Sequence, residues 1–521
     1  MTDSSCRKST DKVSLIFLKL PMSVPHRLLS IILPAFLLPS LLRGEYIPVK
    51  TEIPEPRREF RAAWIATVHN IDWPSTYTLS PSQQRAELIG LLDLAAETGL
   101  NAVVLQVRTE CDAFYKSNLE PWSWFLTGKM GSPPPDGYDP LEFAVQEAHR
   151  RGIELHAWFN PFRASATERS TKSSKHISKT HSSLMLSVGS QKWADPSSDY
   201  VRNRAIAVMT DVTKRYDVDA VHIDDYFYPY PKTVNGKVYD QFNDSAAFRA
   251  YQAKGGKLDV RYWRRSNIDS FVQSMYSSVK STKPWVQVGI SPFGIWRPGN
   301  PGSVKAGLDA YDHIFADSKK WLQNGWLDYF SPQLYWRIYP AAQSFTALYS
   351  WWSDQNSQRR HLWPGIASSR ILSSEDKGRP STETIKQIDV TRNKPSPMGA
   401  GHIHWSIKAI KEDRGGLRAR LRTSYAEGAI PPASPGLGTT PPDPVYVAPI
   451  RESGGLTLAF KPGAQARGKI VQVKEGQNWV TLRRFPASQE RFRLDKEPEQ
   501  VAIRHISATG ILSVPTVLRK Q

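Results

Sequence analysis

A chain of 521 residues is long enough for more than one domain, or for one large barrel with additions, and its apolar and aromatic content excludes a disordered chain. Two cysteines, Cys6 and Cys111, exclude a disulfide framework and a cysteine-based zinc site, and Cys111 reads as a plain loop thiol. The formal charge of +19 raises the question of an anionic partner, but the basic residues are spread along the chain with no Lys/Arg tract and no nucleic-acid motif, so the balance points to an acidic surface or polymer and away from nucleic acid.

Residues 28–42 form an apolar run preceded by His26 and Arg27. The run is short for a membrane span and contains prolines, so 1–45 is expected to be a secretory signal, with Met22 as an alternative start. An uncut N-terminal membrane anchor is the competing reading. No small-x-small cleavage site is clear, and no cysteine follows the run.

From residue 60 strands and helices alternate. Phe60–Thr67 is the first strand, and Ser82–Thr98 is a helix with Leu88, Leu91, Leu92 and Ala95 on one face and Gly99 closing it. Then follow strand Asn101–Val107, helix Pro140–Arg151, strand Ile153–Phe159, helix Tyr200–Tyr216 and strand 219–224. Helix Ile268–Lys280 precedes strand Val286–Ile290, and helix Ser318–Asn324 precedes strand Leu327–Tyr335. Helix Phe345–Asp354, strand His361–Ala367, helix Glu383–Val390, strand Gly401–Trp405 and helix Leu417–Tyr425 complete the series. Eight such strands predict an α/β fold of the (β/α)8 TIM-barrel type over 55–426. An open doubly wound sheet competes, but no Gly-rich dinucleotide or phosphate loop supports it.

The stretch 427–445 reads as a Pro-rich linker. Beyond it, over 446–521, the pattern changes to short β runs with no helical period: Leu456–Phe460, Ile470–Lys474, Trp479–Phe485, Phe492–Leu494, Val501–Ile506 and Val514–Leu518. These predict a small β-sandwich that loosely resembles a fibronectin type III module, joined to the barrel through few contacts.

In a parallel barrel the reacting groups sit at the C-terminal strand ends. That rule selects Asp224 and Asp225 after strand four, in Asp219-Ala-Val-His-Ile-Asp-Asp-Tyr-Phe-Tyr-Pro-Tyr230, as the candidate catalytic carboxylates. The plain alternative is that they cap the next segment. Arg108, Asn160, His222, Gln333, Tyr335, Trp336, His404 and Trp405 fall at or near other strand ends and are candidate substrate-binding residues, with Tyr226 and Tyr228. Seventeen Trp and twenty Tyr are many, and rings at strand ends can stack on sugars or plug the top of the core. Asp219 and Asp328 open their strands and read as structural, and Asp317 as a helix cap. Alternation puts His222 and Asp224 on one face of strand four and Ile223 and Asp225 on the other, so Asp225 either turns into the site as the strand ends or pairs with a neighbour. Strand five ends in Ser291-Pro-Phe-Gly-Ile-Trp296 without a carboxylate. Glu110 lies near strand two with no clear place. His156, His222, His402 and His404 do not form a compact ligand set, so no metal and no cofactor is assigned.

Several motifs, in order, resemble the glycosyl hydrolase-like 10 family. They are Phe60-Arg-Ala-Ala-Trp-Ile-Ala66, Gln106-Val-Arg108 with Asp112-Ala-Phe-Tyr115, and Glu120-Pro-Trp-Ser123 with Leu126-Thr-Gly128. His156-Ala-Trp-Phe-Asn-Pro161, His222-Ile-Asp-Asp-Tyr-Phe-Tyr-Pro229 and Ser331-Pro-Gln-Leu-Tyr-Trp336 complete the set. The resemblance implies a bacterial envelope glycoside hydrolase, secreted or periplasmic, acting on a polysaccharide such as peptidoglycan glycan strands. Asp219–Tyr226 also resembles the chitinase pattern, in which the substrate's own N-acetyl group is the nucleophile, but Tyr226 stands where the acid Glu would be. Two other functions compete: a non-catalytic glycan-binding protein, and a metal-dependent polysaccharide hydrolase or deacetylase.

Overall fold

The computed structural model describes residues 46–166, 172–188, 190–234, 237–239, 242–452, 454–461, 463 and 465–521; the segment assigned to a signal or anchor lies outside them. The central sheet contains β1 (Arg57–Ile65), β2 (Ala102–Arg108), β3 (Glu154–Phe159), β4 (Ala220–Ile223), β5 (Gln287–Ile290), β6 (Tyr329–Phe330), β7 in two pieces (His361–Leu362 and Gly365–Ile366) and β8 (Ala400–His404). Each pairs in parallel with the next, the first piece of β7 with β6 and the second with β8, and β8 returns to β1. The result is an α/β barrel.

Proline explains why two strands are shorter than their sequences suggest. Pro332 ends β6 after two residues, and Pro364 splits β7, because neither offers an N–H to the ladder. The Pro364 carbonyl still accepts from Ile403 N at 3.0 Å, so the ring of strands stays closed there.

The outer helices are α1 (Pro81–Glu97), α2 (Pro140–Arg150), α3 (Asp199–Arg215), α4 (Val260–Thr282), α5 (Ser318–Asn324), α6 (Phe345–Gln355), α7 (Ser381–Asn393) and α8 (Leu417–Ser424). α1 starts at a capping box in which Ser80 accepts from Gln83 N and the Gln83 side chain accepts from Ser80 N, and it buries the expected Leu88, Leu91, Leu92 and Ala95. α4 begins eight residues before Ile268, the expected start, because the Asp259 side chain caps Arg261 N and Tyr262 N. Two apolar layers follow from strand alternation. Phe60, Ala62 and Trp64 of β1 face the barrel interior with Trp158, Tyr329, Trp363 and Ile403, while Ala63 and Ile65 face the helices.

Beyond the barrel lie β9 (Val447–Glu452), β10 (Gly455–Phe460), β11 (Gly468–Glu475), β12 (Asn478–Pro486), β13 (Arg491–Leu494), β14 (Gln500–Ile506) and β15 (Thr516–Lys520). β9, β10 and β13 form one antiparallel sheet; β12, β11, β14 and β15 form the other. Leu456, Leu458 and Phe460 of the first meet Val471, Val473, Val501 and Ile503 of the second in one buried cluster, which makes the module a β-sandwich. β9 was hidden in the sequence because Pro449 interrupts its apolar run, which an edge strand tolerates.

The expectation of few contacts between barrel and sandwich is corrected. The strand Tyr46–Val49, which precedes the barrel, pairs antiparallel with β15 and extends the sandwich sheet. Arg484 reaches Glu154 at 2.7 Å, Arg467 pairs with Asp217 and Asp219, and Ile430 packs on Ile470 and Ile506. Gly152, just past α2, has φ +73°, and a Cβ there would fall 2.0 Å from the Arg484 carbonyl oxygen, so this glycine serves both a turn and the close approach of the sandwich.

Candidate active site

β4 carries His222 and Ile223 to its end, and the next two residues are the carboxylates. Alternation turns His222 and Asp224 inward. Asp224 Oδ2 accepts from Trp158 Nε1 at 3.0 Å and from Asn160 Nδ2 at 3.2 Å, Oδ1 lies 3.4 Å from the same amide, and the Tyr226 backbone N–H also donates to the carboxylate. Burial, and next the neighbouring Asp225, push the Asp224 carboxyl up to about 7. Asp225 turns into the site and also pairs with neighbours: Tyr230 and Gln333 donate to it. Its carboxyl is raised too, chiefly by burial, while those two donors oppose the shift.

Both carboxylates line a cavity of about 220 Å³ at the mouth of the barrel, with Trp64, Trp158, Tyr226, Ser291, Gln333, Tyr335 and Trp405. The Trp405 ring lies 6.0 Å from Trp64 and 6.0 Å from Trp158, both edge-on, and 6.4 Å from Tyr335, nearly parallel. The four rings frame the carboxylates. Gln333 Nε2 donates to the Ser291 carbonyl at 3.0 Å. The Arg163 guanidinium sits 4.8 Å over the Tyr226 ring, and its backbone N–H donates to Asn160 Oδ1 at 2.9 Å, which turns the Asn160 amide toward Asp224.

The structure therefore gathers Asp224, Asp225, Tyr226, Gln333, Tyr335 and Trp405, with Asn160 behind Asp224. It separates the others. Arg108 is buried and four of its five N–H donors are taken, by Glu120 at 2.7 and 2.6 Å and by the Asn160 and Pro161 carbonyls, so it ties loops together and does not line the cavity. His222 lies beneath the cavity floor with both ring nitrogens engaged by protein. His404 faces outward because its neighbours Ile403 and Trp405 face inward; it bonds Ser368 and Tyr425, and His402 meets the same Tyr425 hydroxyl. Tyr228 is fully buried against Phe242 and Phe315, and Trp336 packs on Phe293 outside the cavity. Asp219 accepts from Leu155 N, Asp328 from Val288 N, and Asp317 caps α5, all as expected. Glu110 accepts from Ala166 N and pairs with Lys172, holding a loop.

Sequence reasoning missed Trp64, Trp158, Arg163, Tyr230 and Ser291. The signal for two of them was present: Phe60, Ala62, Trp64 and His156, Trp158, Asn160 are the inward positions of their strands. Among the described residues no three His, Cys, Asp or Glu side chains converge as a metal site requires.

The glycosyl hydrolase-like 10 family model matches residues 59–380. Glycosyl hydrolase YngK of Bacillus subtilis (strain 168) is 36% identical over 427 residues, which is 80% of this chain and 79% of that protein. Glycosyl hydrolase DigH of Escherichia coli (strain K12) is 34% identical over 350 residues, 63% of this chain and 77% of that protein. Among solved structures, the PgaB (BpsB) glycoside hydrolase domain from Bordetella bronchiseptica aligns with 70% of this chain and 98% of its own at 12% identity and a TM-score of 0.46, a likeness too distant to argue from.

Proposed function

Because this chain belongs to the glycosyl hydrolase-like 10 family and is a glycoside hydrolase, we propose that it cleaves an N-acetylated glycan of the bacterial envelope, namely the glycan strands of peptidoglycan, with the substrate's acetamide as nucleophile. One observation carries the reading: the carboxylates lining the cavity are Asp224 and Asp225, neighbours on one strand end. Two carboxylates that attack and protonate from opposite sides of a sugar usually stand about 5 Å or more apart across the scissile bond. A pair side by side suits a substrate that brings its own nucleophile.

Asp224 is the proton donor. Burial, and next the neighbouring Asp225, hold it near 7, so Asp224 keeps a proton up to about neutral pH, while the hydrogen bonds donated to Asp225 favour its anion. The acetamide oxygen attacks C1 as the C1–O bond breaks, and the Asp224 proton passes to the leaving oxygen. Asp225, anionic and steadied by Tyr230 and Gln333, accepts from the acetamide N–H and stabilises the positive charge that grows there. Water, deprotonated by Asp224, then opens the cyclic intermediate, and the product keeps the anomeric configuration of the substrate. The rings of Trp64, Trp158, Tyr335 and Trp405 offer apolar faces to the C–H faces of the sugar.

We place this activity in the cell envelope, secreted or periplasmic, with membrane attachment through the N-terminal segment as the alternative to release. The apolar run at 28–42 and the basic charge of +19 support that reading. No helix among the described residues is long and apolar enough to cross a membrane. The sandwich is read as fibronectin type III-like, a reading supported by its division into β9–β10–β13 and β12–β11–β14–β15 sheets.

Mass spectrometry of peptidoglycan incubated with the chain, with and without stem peptides, tests the proposal. New reducing ends are expected. Intact strands that co-sediment with the protein, or acetate release that a chelator stops, would contradict it.

A further inference from the structure

A line of polar side chains runs through the barrel interior, where packed apolar layers are the rule. It begins outside the barrel, at Arg484 on β12, whose Nη1 donates to Glu154 Oε1 at 2.7 Å. Glu154 opens β3 at the barrel bottom. Its other oxygen, Oε2, lies 3.5 Å from His156 Nε2, within ion-pair distance but not hydrogen-bonded, and neither of these buried atoms has a hydrogen-bond partner among the described residues. His156 Nδ1 is 2.9 Å from the Tyr329 hydroxyl, and that hydroxyl is 2.8 Å from His222 Nδ1. The Tyr329 ring occupies space left open by Gly289, where a Cβ would fall 1.8 Å from Tyr329 Cζ. His222 Nε2 meets Ser291 Oγ at 2.9 Å and Trp64 Nε1 at 3.3 Å. Ser291 and Trp64 line the cavity, and the Ser291 carbonyl accepts from Gln333, which holds Asp225.

The indole fixes the direction of the whole line. An indole nitrogen only donates, so His222 Nε2 is bare and the ring proton is on Nδ1. That N–H donates to the Tyr329 oxygen, and the phenol proton is then left for His156 Nδ1. His156 carries its own proton on Nε2, aimed at Glu154. Burial keeps the His222 ring neutral, so no second proton breaks the order. The hydrogen bonds from the cavity floor to His156 run in one sense, toward the carboxylate that Arg484 holds.

We propose that this line is a positioning device: the Trp64 indole sets the His222 tautomer, and the docked sandwich, through Arg484, anchors Glu154 at the far end of the line and so holds Ser291 and Trp64 of the cavity floor in place. Arg484 and Tyr329 are positioning residues; they act on Asp225 through Ser291 and Gln333. The role rests on the active site proposed above, so its test includes a readout that needs no substrate.

That readout is 15N NMR of the histidine rings in the full wild-type chain. The expected result is His222 protonated on Nδ1 and His156 on Nε2. A His222 ring protonated on Nε2 overturns the proposal whatever the substrate is, and whether or not any variant folds. The kinetic arm uses peptide-free peptidoglycan strands. Tyr329→Phe should lower kcat about tenfold with KM within about twofold. Arg484→Ala should lower kcat in the same way, and Arg484→Lys should restore it. Arg467→Ala breaks a different ion pair of the same interface, with Asp217 and Asp219, and should leave kcat unchanged. An unchanged kcat in Tyr329→Phe, or an equal loss in Arg467→Ala, also overturns the proposal.

Discussion

Asp224 keeps its proton up to about pH 7 in the folded chain, against the ordinary aspartate range when unfolded. Between those values the folded state binds the extra proton, so this residue's contribution to stability falls as pH rises through the window. Asp224→Asn removes the ionisation. We expect a higher Tm than wild type at about pH 8, a gap that narrows toward about pH 4, and loss of polymer cleavage; a Tm gap that does not change with pH would contradict the assignment. The same titration should make kcat/KM of the wild type fall above about pH 7 as the acid form is lost. Trp405 is only half-buried, with its ring edge-on to Trp64 and Trp158 at the cavity. Trp405→Ala should cost less than the ~3–5 kcal/mol of a core tryptophan yet lower kcat/KM about tenfold or more, by thermal melt and kinetics. A large stability loss with unchanged kinetics would make it a plug of the core. The carboxylate pair was legible because two acids end a short apolar strand. The raised carboxyl of Asp224 was not, since it depends on burial and on Asp225 together.

At the scale of elements, strand ends were legible and side-chain direction only partly so. His404 and Trp405 are adjacent and were both assigned to the site, but a strand sends neighbours to opposite faces, and the inward Trp405 took the cavity while His404 went to Tyr425. Arg108 ends β2 at the correct height, but the loop that returns with Glu120 claims it, and such pairing over twelve residues leaves no periodic mark. Both members of that pair are buried. Arg108→Ala should therefore cost about 3–5 kcal/mol in urea unfolding, by leaving Glu120 buried with only the longer 3.5 Å contact to Arg204. A raised KM with unchanged unfolding would restore Arg108 to substrate binding. Proline shaped the shorter elements: Pro332 and Pro364 each mark where a strand lost ladder bonds that its apolar pattern had suggested, and Pro449 masked an edge strand that forms in spite of it.

In the whole molecule, the barrel and the sandwich were each readable from their own periods, but their docking was not. The contacts that join them come from Tyr46–Val49, Gly152, Ile430 and isolated arginines, which no local pattern links. A chain ending at residue 428 would strand Tyr46–Val49 without β15, lose the Ile430 contact with the sandwich, and uncover Glu154 and Asp219. We expect it to melt well below the full chain or to aggregate; a truncated chain with the full-length Tm would show that the sandwich is an independent accessory. The central claim is that Asp224 delivers the proton to the leaving oxygen beside an anionic Asp225. The most direct measurement compares wild type and Asp224→Asn on two substrates: peptidoglycan glycan strands, and an N-acetylglucosamine glycoside whose dinitrophenolate leaving group needs no proton. The variant should lose about 10²–10⁴ in kcat/KM on the strands and keep most of its kcat/KM on the activated glycoside, because that ratio reports only the step up to departure of the leaving group, before Asp224 is needed as base. Equal losses on both substrates, or wild-type cleavage of the strands, would contradict the account.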